Sequence, residues 1–423
     1  MISNSKIRGM PRQQSGAAAA KKQISTREKS NKTQKQAVDS PSRDQQELFD
    51  LGAKETNKQE LLDLTSEEAN KEQLLDPTSE ESKKLCELAH DLYQIAPWEL
   101  MNETDVFGFE DPETRELGFI SIMGALGEIR IIAVYRGVAA LHAWTDFMDL
   151  LELRPGTDEV RDAFMQISQL QLSFEPAGSL EKPDREMIRT AGLKFGKEKP
   201  LFRSYRPGYL PWFITNAEAR HLIYALEQTL EVVKQFSYDP SVVPDIDESE
   251  HAEYLVRVPH VTGSKVRWKN CVRQFPLPED MHLIPFGVED ATVEQLKKIH
   301  KSGPQEIDVF TLPAAIGETG ERPRLLYALL VTDVATGMIL GFDALEAVDG
   351  VDLMYASLAE KVAEIWLESQ IVPGELRGQT VRLLNMFQYV AGEVGISLTL
   401  LDALPTIDEA KYSIVQSMKS GHF

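Results

Sequence analysis

The sequence predicts an α+β protein in which two mixed α/β modules follow a disordered N-terminal tail. Three observations lead to this fold class. The first 80 residues are polar and contain a short repeat, the remainder alternates strand-like apolar runs with amphipathic stretches, and a Pro- and acid-rich segment divides that remainder. We therefore predict a tail at 1–80, a first module at 81–236, a linker at 237–251 and a second module at 252–423.

The tail consists of a basic arm and a duplicated spacer. Residues 1–36 contain nine Lys or Arg against one acid, Glu28, so the arm carries +8 and the rest of the chain −29 of the net charge of −21. Residues 57–69 (NKQELLDLTSEEA) and 70–82 (NKEQLLDPTSEES) repeat one unit, and the second TSEE has the pattern of a helix start. Residues 1–56 have too few large apolar side chains to offset their ordering entropy, which predicts disorder.

Composition predicts a globular body in a reducing compartment. The chain is 42% hydrophobic and 26% charged, and no run approaches the ~18 apolar residues of a membrane helix. Cys86 and Cys271 lie far apart without metal-type spacing, which argues against a disulfide framework or a zinc site. We predict a cytoplasmic protein with no membrane partner, no metal site and no cofactor.

In the first module, the pattern changes from helical to strand-like and back. Leu85, Leu88, Leu92 and Ile95 recur at helical spacing. The predicted elements are a helix ending before Pro97, strands on both sides of an Asp111-Pro112-Glu113-Thr114 turn, a strand at 129–137, a helix at 138–153, a meander from LQLSFEP through 186–206, and a helix at 217–236.

In the second module, strands and helices alternate, which implies parallel pairing in a layered α/β unit. The predicted elements are a strand from Tyr254 to Val258, a loop around Trp268, a helix from Val293 to His300, a hairpin turning at 333–337, a helix broken at Pro373-Gly374, a short buried strand at 379–385, and then a helix, a strand and a closing helix.

Long stretches of the first module resemble a known family. PWELMNETDVFGFEDPETRELGFISIMGALGE, followed by AVYRG and LFRSYRPGYLPWFITNAEARHLIYALEQTLEV, looks like the N-terminal domain of an uncharacterised bacterial family. The second domain of that family, also of unknown function, resembles residues 252–415. RSYRPGYLPWF is the most specific string. The resemblance implies two modules and supplies no reaction, cofactor or site residue.

The RSYRPGYLPWF segment is the first candidate site. It brings Arg203, Tyr205, Arg206, Tyr209 and Trp212 within ten residues, and arginine combined with aromatic side chains can stack bases, grip phosphates or anchor a protein interface. The structural alternative is that the aromatic side chains pack on the 217–236 helix and the arginines pair with acids. The leading hypothesis is a non-enzymatic binding or adaptor protein for an unknown protein or peptide, with nucleic acid bound only through the basic tail.

The element order of the second module resembles a ribonuclease H-like nuclease or integrase fold that is one antiparallel strand short. The resemblance implies two metal ions held by carboxylates. The candidates are Asp333 on the first strand, Asn385 where another acid is expected, and Asp408 or Glu409 on the last helix. Because the Asn385 amide contributes no charge to a cation site, the alternative function is a degenerate, metal-dependent phosphodiester-cleaving enzyme.

Overall fold

The structure is a computed structural model that describes residues 75–127, 129–245, 252–263, 265–276, 287–318 and 320–419. The predicted basic arm and all but the end of the tandem repeat lie outside these residues. Within them, two mixed β-sheets and their covering helices belong to one compact unit, which confirms the α+β class. In this part of the chain, no helix combines the length and apolar character needed to cross a membrane.

Seven strands form the first sheet. They are β1 (Phe107–Glu110), β2 (Leu117–Met123), β3 (Ile131–Arg136), β4 (Gln169–Pro176), β5 (Glu198–Tyr205), β6 (Glu253–Thr262) and β7 (Lys265–Gln274). Their spatial order is β5-β4-β3-β2-β1-β6-β7. Every neighbouring pair is antiparallel except β1 and β6, which run parallel. The sheet therefore ends at β5 on one side and at β7 on the other.

Helices cover both faces of the first sheet. They are α1 (Ser79–Ile95), α2 (Gly137–Leu153), α3 (Asp158–Met165), α4 (Lys182–Ala191) and α5 (Asn216–Tyr238). Successive side chains of a strand point to opposite faces, so Ile120 of β2 packs in the core that contains α1 and α5. Its neighbour Phe119 packs on the other side with Trp144 of α2.

The two main helices of this part begin with reciprocal caps. The Glu81 amide donates to the Thr78 hydroxyl at 3.2 Å, and the Thr78 amide donates to the Glu81 carboxylate at 2.8 Å. Thr215 and Glu218 make the same pair of bonds at the start of α5. These bonds satisfy amides that have no partner within the helix. The second TSEE therefore starts a helix, as predicted.

Five strands form the second sheet. They are β8 (Lys301–Ile316), β9 (Arg324–Asp333), β10 (Ile339–Glu346), β11 (Val372–Gly378) and β12 (Ser397–Leu400). Their order is β10-β9-β8-β11-β12, with β8, β9 and β10 antiparallel and β11 and β12 parallel to β8. The predicted hairpin is thus β9–β10. The antiparallel strand that was not evident in the sequence is β8, at 301–316.

Six helices accompany the second sheet. They are α6 (Asp290–Leu296), α7 (Val351–Ala356), α8 (Leu358–Ser369), α9 (Val381–Asn385), α10 (Gln388–Val394) and α11 (Pro405–Lys419). Trp366 of α8 packs with Leu329 in the core on one face. Ile407 of α11 packs with Leu330 in the core on the other.

The predicted strand at 379–385 was wrong. The strand at 379–385 is helix α9, because the Thr380 hydroxyl accepts a hydrogen bond from the Leu383 amide at 3.2 Å and caps a helix there. The actual strand, β11, contains the Pro373 that was taken as a helix breaker. Proline cannot donate to a ladder, and Pro373 is tolerated because it lies before the first β12 partner, at Glu375.

Trp268 was also misassigned. It was predicted in a loop but lies in the middle of β7, opposite Pro259 of β6. The polar, exposed residues around it look like a loop in the sequence because β7 is an edge strand. In the first module, the predicted meander at 186–206 overlaps a helix, α4.

The first sheet extends beyond the predicted linker. β6 and β7 follow the 237–251 segment, but β6 pairs with β1, with Gly108 opposite Val256. The last strand of the first sheet therefore ends at Gln274, and the strands of the second sheet follow it in the chain. The domain boundaries themselves stay a prediction.

Candidate functional site

The RSYRPGYLPWF segment begins in β5 and continues into the connecting loop, residues 206–215, before α5. Arg203 makes two hydrogen bonds to Asp184 of α4, at 2.7 and 2.9 Å, and its guanidinium lies 4.6 Å from the centre of the Phe213 ring. Tyr205 contacts the Phe164 ring edge to face, with 5.6 Å between the ring centres. These two candidate side chains are therefore engaged within the chain.

The connecting loop also joins the two sheets. The Leu325 amide at the start of β9 donates to the Gly208 carbonyl at 2.8 Å, and the Leu210 amide donates to the Pro323 carbonyl at 2.9 Å. Tyr209 thereby forms a bridge with Arg324. Trp212 exchanges backbone hydrogen bonds with Ser204 at 2.8 and 3.0 Å. The RSYRPGYLPWF segment, the most specific string of the resemblance, therefore connects the first sheet to the second through backbone hydrogen bonds.

Arg206 leads to a buried carboxylate. It donates to Glu218 of α5 at 3.3 Å, the Ser204 hydroxyl donates to the same oxygen at 2.8 Å, and the Thr215 amide donates to the other oxygen at 2.9 Å. Burial raises the pKa of Glu218, but these bonds and the nearby arginines outweigh that effect and lower the pKa below its usual value. Glu218 is therefore an anion held in the interior.

Two further arginines approach the same carboxylate. Arg136, at the end of β3, lies 3.7 Å from Glu218, and Arg322, in the loop between β8 and β9, lies 3.8 Å from it. Arg136 also forms a double hydrogen bond with Glu116, at 3.1 and 3.0 Å. Arg136, Arg206 and Arg322 form what we call the arginine cluster. All three guanidinium groups lie around the Glu218 carboxylate.

Arg322 is the unusual member of the arginine cluster. Its side chain is 5% exposed, and none of its three guanidinium nitrogens has a hydrogen-bond partner. Burial lowers the pKa of Arg322 to about 10; Glu218 opposes this effect, whereas Arg206 and Arg136 add to it. The group stays charged at neutral pH. Its unused donors are those that bind carboxylates and phosphates in a planar, bidentate way.

A buried histidine lies one turn along α5 from Glu218. His221 Nδ1 lies 2.8 Å from Asp111 in the turn after β1. Burial raises the pKa of Asp111, but hydrogen bonds from His221, Thr114 and Glu113 outweigh it and lower the pKa. His221 Nε2 has no hydrogen-bond partner and lies against Gly118 of β2, where an added Cβ would be 3.1 Å away. The buried contact between His221 and Asp111 therefore fixes the turn after β1 against α5.

The residues proposed for a metal site take other roles. Asp333 accepts hydrogen bonds from the Thr336 amide at 2.8 Å and hydroxyl at 2.7 Å, which closes the β9–β10 turn. Asn385 ends α9 and accepts from Gln388 at 2.8 Å. Asp408 and Glu409 are exposed on α11. Across the part of the chain that the structure describes, no three His, Cys, Asp or Glu side chains are grouped so that they could hold a metal ion.

The first strand of the second sheet along the chain is β8, which carries Asp308. The buried Asp308 carboxylate pairs with the Lys411 ammonium of α11. Burial raises the pKa of Asp308 despite the opposing effect of Lys411. The cation beside the acid of the first strand is therefore a side chain of the protein itself.

Comparison with known proteins agrees with the resemblance. Residues 83–257 match the family model described as Domain of unknown function (DUF7309), and residues 292–415 match Domain of unknown function (DUF6930). Two uncharacterised domains follow one another in this chain. The DUF7309 match continues through the predicted linker into β6. No curated protein and no solved structure matches the chain.

Sequence reasoning found one of the three clustered arginines. Arg206 stood out because aromatic residues surround it. Arg136 and Arg322 are far from it in sequence and carry no local signal. The available signal for Glu218 was the capping pattern with Thr215, which indicates a helix start and nothing about burial.

Proposed function

We propose that this chain is a non-enzymatic binding protein that takes up a small oxyanion, a carboxylate or a phosphate group, at the arginine cluster. The observation that carries the proposal is Arg322, which is 5% exposed and whose guanidinium donates no hydrogen bond. An unsatisfied buried polar group costs about 1–3 kcal/mol, and more when it is charged. A bound oxyanion would accept the hydrogen bonds that the Arg322 guanidinium leaves unused.

The surroundings of Arg322 support uptake from solvent. The side chains of Arg136 and Arg206 are 26% and 34% exposed. An anion from solvent can therefore contact these two arginines before it reaches the buried Arg322. The start of α5 adds the positive end of a 23-residue helix, which favours negative charge. Glu218 already occupies part of this field.

The two other functions considered have less support. A protein contact through the RSYRPGYLPWF segment needs side chains that are available, whereas Arg203 is paired with Asp184 and the connecting loop is bonded to β9. Metal-dependent cleavage needs converging carboxylates, whereas Asp308 is paired with Lys411. We therefore propose binding of an anion rather than catalysis.

Thermal unfolding of the full chain tests the proposal. The protein is titrated with sodium phosphate, sulfate or acetate against sodium chloride at matched ionic strength. A ligand at 100 times its Kd stabilises by about 2.7 kcal/mol, so a saturable rise in Tm is expected. Phosphate and sulfate also stabilise proteins through exclusion from their surface, so the same titrations are run on Arg322→Met.

The matched control is Arg189→Met, which removes an exposed arginine from the end of α4. We expect the control to respond like the wild type and Arg322→Met to keep only the non-saturable rise. An acetate response indicates a carboxylate ligand, and a response to phosphate and sulfate alone indicates a phosphate group. A saturable response of equal size in Arg322→Met, or none in the wild type, would refute the proposal.

A further inference from the structure

The β6–β7 hairpin is basic in an acidic protein. From Tyr254 to Pro276 the chain has five Lys or Arg and no Asp or Glu, although the whole protein carries a net charge of −21. Two of the five bases have internal partners. Arg257 donates to Gln228 of α5 at 3.0 Å, and Arg273 lies 3.4 Å from Glu110.

The other three bases lie on β7 and face solvent. Lys265, Arg267 and Lys269 alternate along the strand, so they project from the same face of the sheet. All three are exposed, and none has an ion-pair partner among the described residues. This row of three charges is the basic row.

The opposite face of β7 carries three apolar side chains, Val266, Trp268 and Val272, together with the polar Asn270. Val266 is 37% exposed and Val272 is 55% exposed. Between them, Trp268 contacts the Tyr224 ring of α5, with 6.5 Å between the ring centres. β7 is therefore amphipathic, with charge on one face and partly uncovered apolar groups on the other.

Within the described ranges, no strand pairs with the outer edge of β7. The strand is the last in the first sheet and pairs with β6 along all ten residues, from Thr262–Lys265 to Glu253–Gln274. An edge strand presents backbone donors and acceptors to which another strand can add. Charged side chains on an edge strand oppose pairing with most other strands. A strand of opposite charge is attracted instead and can pair with the edge.

We infer that β7 is a docking edge for an acidic strand of a partner protein, with Asp or Glu at alternate positions facing the basic row and apolar residues facing Val266 and Val272. Charge complementarity identifies the occupant. A second copy of β7 would place bases opposite bases, which destabilises cross-strand pairs. A nucleic acid would contact the basic row but leave the backbone edge and both valines uncovered.

Fluorescence anisotropy with the full chain and synthetic peptides tests this inference. The probe is a labelled ten-residue peptide of alternating Glu and Val. The first control peptide has the same sequence with every backbone amide N-methylated, so its charge is kept but neither of its edges can donate ladder hydrogen bonds. The second replaces Glu by Lys. A ten-nucleotide single-stranded DNA tests the nucleic-acid alternative.

The protein variant is Lys265→Glu/Arg267→Glu/Lys269→Glu, which should fold because all three side chains are exposed. Three exposed ion pairs together change affinity by roughly tenfold. We expect the Glu–Val peptide to bind the wild type about tenfold more tightly than this variant, and the Lys–Val peptide to show the reverse preference.

Four outcomes would overturn the inference. They are equal binding of the N-methylated peptide, tighter binding of the DNA than of the Glu–Val peptide, no binding of the peptide at millimolar concentration, and full binding by the charge-reversed variant. The last outcome would indicate that the basic arm at 1–36 captures the peptide instead.

Discussion

Arg322 and Glu218 approach to 3.8 Å without a hydrogen bond between them. Glu218 lies in the first turn of α5, which covers the first sheet, whereas Arg322 precedes β9 of the second sheet. Arg206 and Ser204 already donate to the carboxylate oxygen that faces Arg322. Arg322 therefore lies beside a carboxylate oxygen that already accepts hydrogen bonds from Arg206 and Ser204. The first two predictions follow from this arrangement.

Arg322→Met is expected to stabilise the ligand-free protein. The substitution replaces a buried guanidinium without hydrogen bonds by an apolar chain, for which a gain of about 1 kcal/mol in the free energy of unfolding is expected. Urea unfolding at pH 7 in chloride buffer measures it. The control, Arg203→Met, leaves the buried Asp184 unpaired and should lose about 3 kcal/mol. A loss of similar size in both variants would contradict the prediction.

Glu218→Gln is expected to destabilise the protein at neutral pH and less so in acid. The carboxylate has a pKa below the usual value of a glutamate, so its contribution to stability is present above about pH 4.5 and disappears as the pH falls through the lowered pKa. At pH 7 we expect a loss of about 3 kcal/mol. Unfolding free energies of both proteins between pH 3 and pH 7 should converge toward the acid end; a constant difference would contradict this.

Gly208→Ala is expected to loosen the connecting loop from the second sheet. Gly208 has φ +83°, and an added Cβ would lie 3.1 Å from the Ala347 Cβ. Left-handed backbone costs a non-glycine residue about 1–2 kcal/mol, and the close contact adds to this. Thermal unfolding should show the loss. Gly196→Ala is the control, because no atom lies within 4 Å of its added Cβ, and it should be neutral or slightly stabilising.

Lys411→Ala is expected to destabilise the protein more at pH 7 than at pH 5. The substitution leaves the Asp308 carboxylate buried without its cation, which costs about 3–5 kcal/mol. The pKa of Asp308 is already raised by burial, and loss of Lys411 raises it further. Protonation then relieves the penalty as the pH falls. Urea unfolding at the two pH values checks this, with Asp308→Asn/Lys411→Ala as the variant that should show no pH effect from this site.

Several elements were predictable because local rules decide them. Thr78 and Glu81 start α1 through a cap that needs four consecutive residues. The β9–β10 turn follows from Asp333 and Gly337, whose side-chain oxygen and positive φ close it. Elements decided by distant partners were missed. β7 exists because β6 pairs with it, and β11 is a strand because β8 and β12 flank it, despite Pro373.

The candidate site divides in the same way. The sequence by itself determined that arginines and aromatic residues are concentrated in RSYRPGYLPWF, and that Thr215 and Glu218 begin a helix, because composition and capping depend on neighbouring residues. Only the tertiary structure decided that Arg206 meets Arg136 and Arg322 around Glu218. A side chain becomes buried through packing between segments that are far apart in the chain, and a charged side chain that is buried is costly unless it has a partner.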